Sequence, residues 1–134
     1  MVKWHKFLIA ALLISLSAGF FSCDQKTASN DKEEDIQTAL NWGGLYKLPE
    51  NASSIDIQTN GSILTRQFII RFKCTKEGIE NWIQQSKRLK NNHPLLIKEY
   101  ISRYEIYPGE NNAEGGYVEI NEAEAAVTIN ISWS

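Results

Sequence analysis

The strictest constraint on the fold lies at the C-terminus, where Val127, Ile129, Ile131 and Trp133 alternate with Thr128, Asn130 and Ser132. A period of two sends these sets to opposite faces of a strand, so the chain must build a sheet that is covered on one side only. With 134 residues and a 43% hydrophobic fraction, there is material for one domain. Phe68, Ile70, Phe72 and Cys74 repeat the alternation, and Ser54–Gln58 shows it more weakly. Between them stands Asn60-Gly61, both of which tolerate the positive φ of a type I′ turn. A two-residue turn there pairs Ile57 with Leu64 and Ile55 with Arg66, which puts Arg66 on the face of Phe68, Ile70 and Phe72. An unpaired guanidinium on a core face is costly. A bulge near Thr65 to Gln67 or a twisted edge relieves the conflict; the alternative is a buried, carboxylate-paired arginine serving as an anion contact.

After this hairpin, Thr75 is placed to cap a helix, Glu77 falls in its first turn, and Ile79, Trp82, Ile83 and Leu89 form one stripe. The pattern predicts a helix over about 75–91, with Lys87, Arg88 and Lys90 in its last turns and Asn91 to Pro94 ending it. The run 95–101 is too short to separate helix from strand by periodicity. Residues 104–107 read as extended, 108–116 as a loop, and Tyr117–Ile120 with Ala126–Trp133 as a closing hairpin. The expected fold class is α+β: two layers, an antiparallel sheet of four or five strands with one or two helices on one face. Upstream, Ile36 to Leu40 reads as a short helical turn and Trp42 to Pro49 as a loop whose apolar residues pack over the core.

The N-terminus carries an address. Lys3 and Lys6 precede an apolar run from Phe7 to Phe21, 15 residues long, short of the roughly 20 that span a bilayer. It reads as a secretory signal. Ser22 then stands before Cys23, with the polar tract Asp24-Gln25-Lys26-Thr27 directly after. This resembles the lipobox of bacterial lipoproteins, with Phe20 and Phe21 where the family prefers a leucine and a small residue. The resemblance implies that the signal is removed, that Cys23 becomes the first residue of the mature chain, and that its sulfur carries a diacylglyceryl group, usually with a further acyl chain on its amine. Each buried methylene is worth about 0.8 kcal/mol, so such chains hold a protein on a bilayer essentially permanently. The implied domains are 1–22 as lipoprotein signal peptide, 23–41 as lipidated Cys and flexible acidic tether, and 42–134 as a single α+β domain. The implied residence is the bacterial cell envelope, periplasmic or surface-facing, with the lipid bilayer a partner through Cys23. From about 45 onward the chain loosely resembles small uncharacterised bacterial lipoproteins, with no motif specific enough to transfer an activity.

Removing 1–22 takes away Lys3 and Lys6 and no acid, leaving 12 basic and 16 acidic side chains. That balance speaks against nucleic acid. His93 is then the sole histidine, in a polar turn, and no Cys-x-x-Cys, His-Glu-x-x-His or glycine-rich phosphate loop exists. Neither cofactor nor metal is expected. With Cys23 acylated, Cys74 has no partner for a disulfide and reads as a small buried hydrophobe. The aromatic residues expected at the surface are Trp42, Tyr46 and Tyr107, a recognition patch for an envelope protein or glycan. The sequence therefore points to a lipid-anchored, non-catalytic binding or assembly-accessory module of the envelope. Two alternatives stand beside it: a small envelope hydrolase using Glu119 and Glu122, with Arg66 as anion clamp, or an inhibitor or immunity protein.

Overall fold

The computed structural model describes residues 24–134. In chain order these form helix α1 (Asp24–Gly43), strands β1 (Ser53–Gly61) and β2 (Arg66–Lys73), helix α2 (Lys76–Gln85), and strands β3 (Leu95–Lys98), β4 (Ile101–Ile106), β5 (Gly115–Asn121) and β6 (Ala126–Trp133). Residues 1–22, expected as a signal peptide, and Cys23 lie outside the described residues. All strand pairs are antiparallel, in one sheet ordered β1-β2-β6-β5-β4-β3. The α+β class holds, with six strands where the sequence predicts four or five. The added strand comes from the ambiguous run at 95–101, which splits into β3 and the start of β4 around Glu99-Tyr100, Tyr100 taking a positive φ of 63°.

The C-terminal alternation does set the architecture. Phe68, Ile70 and Phe72 of β2 lie across from Ile131, Ile129 and Val127 of β6, and all six are buried. Val118 and Ile120 of β5 continue this inner face, followed by Tyr104 and Ile106 of β4. Trp82 from α2 meets Phe72 edge-on, with ring centres 5.6 Å apart. Thr75 caps α2 as its position predicts, its Oγ1 accepting from the Gly78 amide at 3.1 Å. The helix stops at Gln85, short of the expected 91. Ser86 ends it because the hydroxyl is buried and committed, accepting from the Tyr46 amide at 3.1 Å, while its own amide donates to Trp82 and Ile83 carbonyls. Lys87, Arg88 and Lys90 therefore sit in the turns beyond the helix.

Two further expectations are corrected. Asn60-Gly61 do not form the hairpin turn: they belong to β1, opposite Gln67 and Arg66, and the loop is Ser62 to Thr65. The shift pairs Ile57 with Ile70 and Thr59 with Phe68, so β1 runs along the whole of β2. Gly61 has φ +133°, and a Cβ there would collide with the Thr65 carbonyl. The segment expected as a flexible tether, with only a short helical turn at Ile36 to Leu40, and the start of the following loop are helical as α1. Ile36, Ala39 and Leu40 on it are buried in the core, and residues from Lys32 onward belong to the same compact unit as the sheet. Gly44, at φ +60°, closes α1 by letting the Leu45 amide reach the Leu40 carbonyl at 2.9 Å. No helix among the described residues is long and apolar enough to cross a membrane.

Candidate functional site

The residues singled out in the sequence are spread over the molecule, with only Trp42 and Arg66 sharing a hollow. The stretch from Tyr46 is strapped to α2: the Tyr46 carbonyl accepts from Trp82 Nε1 at 3.0 Å while its amide donates to Ser86. Its exposed ring edges a polar cleft of about 650 Å³ shared with Asn51, Glu77, Asn81 and Gln85. Cys74, behind this cleft, is buried as expected and its thiol donates to Asn51 Oδ1 at 3.2 Å.

Trp42 is only half exposed, because its ring leans on Phe68 at a tilt of 52° with centres 5.3 Å apart and stacks on Trp133 at 6.5 Å. Arg66 sits beside it, opposite Gly61 and Trp133 at the end of the sheet. It is exposed, with no bulge at 65–67, so the anticipated conflict is resolved by position: the inner face ends at Phe68, and Arg66 reaches past it into a hollow lined by Trp42, Ile63 and Trp133. The buried, carboxylate-paired arginine does not occur. Tyr107, 83% exposed, projects elsewhere, beside Gly115 and Gly116. Trp42, Tyr46 and Tyr107 thus border three different hollows and form no common patch.

The carboxylates of the closing hairpin are also separated. Glu119 lies on the outer face, where its Oε1 accepts from Arg103 Nε at 3.0 Å and Nη2 at 2.5 Å. The Arg103 guanidinium, 4.1 Å from the Tyr117 ring centre, is held even more firmly protonated than usual by this hydrogen bond. Tyr117 in turn accepts from Asn130 Nδ2, and Asn130 Oδ1 from Gln67, completing a polar ladder over four strands. Glu122 belongs to the opposite, inner side. Glu119 and Glu122 are therefore not a facing pair, and no group of three or more His, Cys, Asp or Glu able to hold a metal occurs among the described residues.

The inner side near Glu122 is where the structure departs most from a closed core. Past Tyr104 toward β3 the inner face has no cover among the described residues, leaving a largely apolar groove of about 270 Å³ lined by Ile79, Ile83, Pro94, Tyr104 and Ile120, with Glu122 at its rim. Burial pushes the Tyr104 hydroxyl up from its usual pKa, and the charge of Glu122 adds to the shift. The groove adjoins β3, the last strand of the sheet, on which Leu95, Leu96 and Ile97 are 57%, 78% and 43% exposed. Leu96 pairs with Ser102 and so shares the inner face with the groove; Leu95 pairs with Arg103 and faces outward. An apolar strand with a free edge is a template for another chain. This edge, with the groove beside it, is the candidate site.

Sequence reasoning passed over it because an edge is a property of strand order, which no local pattern encodes. The one available signal was the density of Leu95-Leu96-Ile97 directly after a Pro, with no acid on either side until Glu99. Comparison with protein-family models, with characterised proteins and with solved structures finds no match.

Proposed function

We propose that the chain is a lipid-anchored, non-catalytic binding module of the bacterial cell envelope, held on a bilayer through acylated Cys23 and presenting β3 as its docking edge. The observation that carries the binding role is the run of exposed Leu95, Leu96 and Ile97 on a strand whose outer edge pairs with no other strand among the described residues. Monomeric proteins protect such edges by charge, twist or cover, so an apolar edge left open speaks for a partner that completes it. The anchor rests on the lipobox-like Ser22-Cys23 and the apolar run before it. The separation of Glu119 from Glu122, and the commitment of Glu119 to Arg103, favour binding over carboxylate hydrolysis.

Two measurements test the two halves of the reading. Cys23→Ser is expected to move the protein from the membrane to the soluble fraction and to abolish a diacylglyceryl mass increment on the native product; a product whose mass shows bare sulfur at Cys23 removes the anchor. A photo-crosslinking residue placed at position 96 in cells is expected to trap one discrete partner, whereas one at position 58 on β1 is not. Equal, diffuse crosslinking from both positions removes the docking edge.

A further inference from the structure

The groove and edge also bear on what the partner is made of. This step rests on the binding reading above and deepens it. Three occupants present themselves: a lipid surface, a second copy of this chain, or an extended segment of another protein. A lipid surface needs apolar side chains in one plane, whereas Leu95 and Leu96 leave opposite faces of the sheet. A strand laid alongside β3 meets both, one on each side of its own pleat. The groove under β4 then receives an aliphatic side chain from the inner face of that strand, against Ile79, Ile83 and Tyr104.

Charge separates the remaining two. From Ser86 to Lys98 there are four cations and no acid, in a chain whose expected mature form is acidic overall. Lys87 and Arg88 pair with Glu110, at 3.4 and 3.7 Å. Lys90 and Lys98 have no ion-pair partner among the described residues, and they flank β3 at its two ends, Lys90 with His93 before it and Lys98 closing it. The other charges around the edge are Glu99 in the turn to β4, Glu105 paired with Arg103 on the outer face, and Lys76, Glu80 and Glu122 around the groove. Two copies joined antiparallel through β3 would bring Lys98 of each against the Lys90–His93 turn of the other. An incoming strand with carboxylates at both ends meets the opposite charge at each.

We infer that β3 accepts, as a seventh strand, an extended polypeptide segment that is aliphatic in its centre and acidic at both ends. The peptide backbone supplies hydrogen bonds along the edge, the centre covers Leu95, Leu96 and Ile97 and fills the groove, and the terminal acids pair with Lys90 and Lys98.

The test uses the full chain, isotope-labelled and purified from membranes in detergent, titrated with the octapeptide acetyl-Asp-Glu-Val-Ile-Val-Thr-Glu-Asp-amide. Saturable binding is expected, with amide shifts and slowed exchange confined to β3, β4 and the groove. Leu96→Glu, at an exposed position, is expected to weaken binding at least about tenfold, and Gln58→Glu on the opposite edge to leave it unchanged. Lys90→Gln with Lys98→Gln should weaken binding and flatten its salt dependence. The inference is overturned if a backbone N-methylated peptide binds equally well, if a lysine-flanked version does, or if no binding occurs by millimolar peptide while the spectrum shows the intact fold. It is also overturned by a concentration-dependent dimer that Leu96→Glu dissociates, or by β3 shifts on adding phosphatidylglycerol vesicles alone. Those last two results leave the docking edge in place and change its occupant, whereas diffuse crosslinking from position 96 in cells removes the edge itself.

Discussion

The two edges of the sheet are built on opposite rules. β1 is nine residues long, almost entirely exposed, and polar: Asp56, Gln58 and Asn60 lie across from Arg71, Ile69 and Gln67. It carries an irregularity between Ser53 and Asp56, a positive φ at Ser54, and an Asp56–Arg71 ion pair at 3.7 Å. These are the devices by which a sheet discourages further pairing. β3 has four residues, three of them aliphatic, with its single charge at the end. Its protection is limited to brevity and a break in register between Leu96 and Lys98. The contrast lies in composition, since exposure does not separate the two strands: both are exposed, and only β3 is mostly aliphatic.

The largest expected effect separates what holds the sheet from what borders it. Phe72→Ala, beneath α2 and against Trp82, is expected to cost about 3–5 kcal/mol of stability by denaturant unfolding, while Leu96→Ser on the β3 edge stays within about 0.5 kcal/mol. A comparable loss at Leu96 would mean that β3 belongs to the core and would end the contrast. Next, Thr75→Ala should cost about 1 kcal/mol by removing the cap of α2, which forms one wall of the groove. Breaking the exposed Asp56–Arg71 pair with Asp56→Asn is expected to change stability by less than about 1 kcal/mol, yet to make β1 more prone to self-association at high concentration, read by sedimentation.

The smallest effect is a pH dependence at the groove. The pKa of Tyr104 is raised above the ordinary 10.0 by burial, so the unfolded chain loses this proton first as pH rises. Its contribution to stability is therefore complete below about pH 10 and disappears as pH climbs through the folded value. Tyr104→Phe should flatten that alkaline portion of the stability curve, and binding of an aliphatic segment in the groove should raise the pKa further, followed by the absorbance of tyrosinate.

Much of the covered half was legible. The alternations in β2 and β6 and the Thr75 cap are local patterns with strong physical causes, and they placed the core residues correctly. The Asn60-Gly61 turn misled because a local preference worth a fraction of the ladder lost to the longer pairing of Ile57 with Ile70 and Thr59 with Phe68. Helix α1 was legible only as a short turn at Ile36 to Leu40, because residues 24–35 carry no large apolar side chain; Ile36, Ala39, Leu40 and Gly43 fall three, four and seven apart, the spacing of one helical face. The candidate site was the least legible part. Trp42 was expected as a free anchor, yet its ring is absorbed between Phe68 and Trp133, and the apolar residues that do remain exposed owe their position to β3 ending the sheet.

The polar character of β1 has a consequence for stoichiometry. Open-ended polymers of sheets require two receptive ends, so that each subunit both gives and takes a strand. If β3 receives a strand as proposed while β1 terminates the sheet, growth is limited to a single added chain, and a surface that would otherwise seed fibres becomes a socket that fills once.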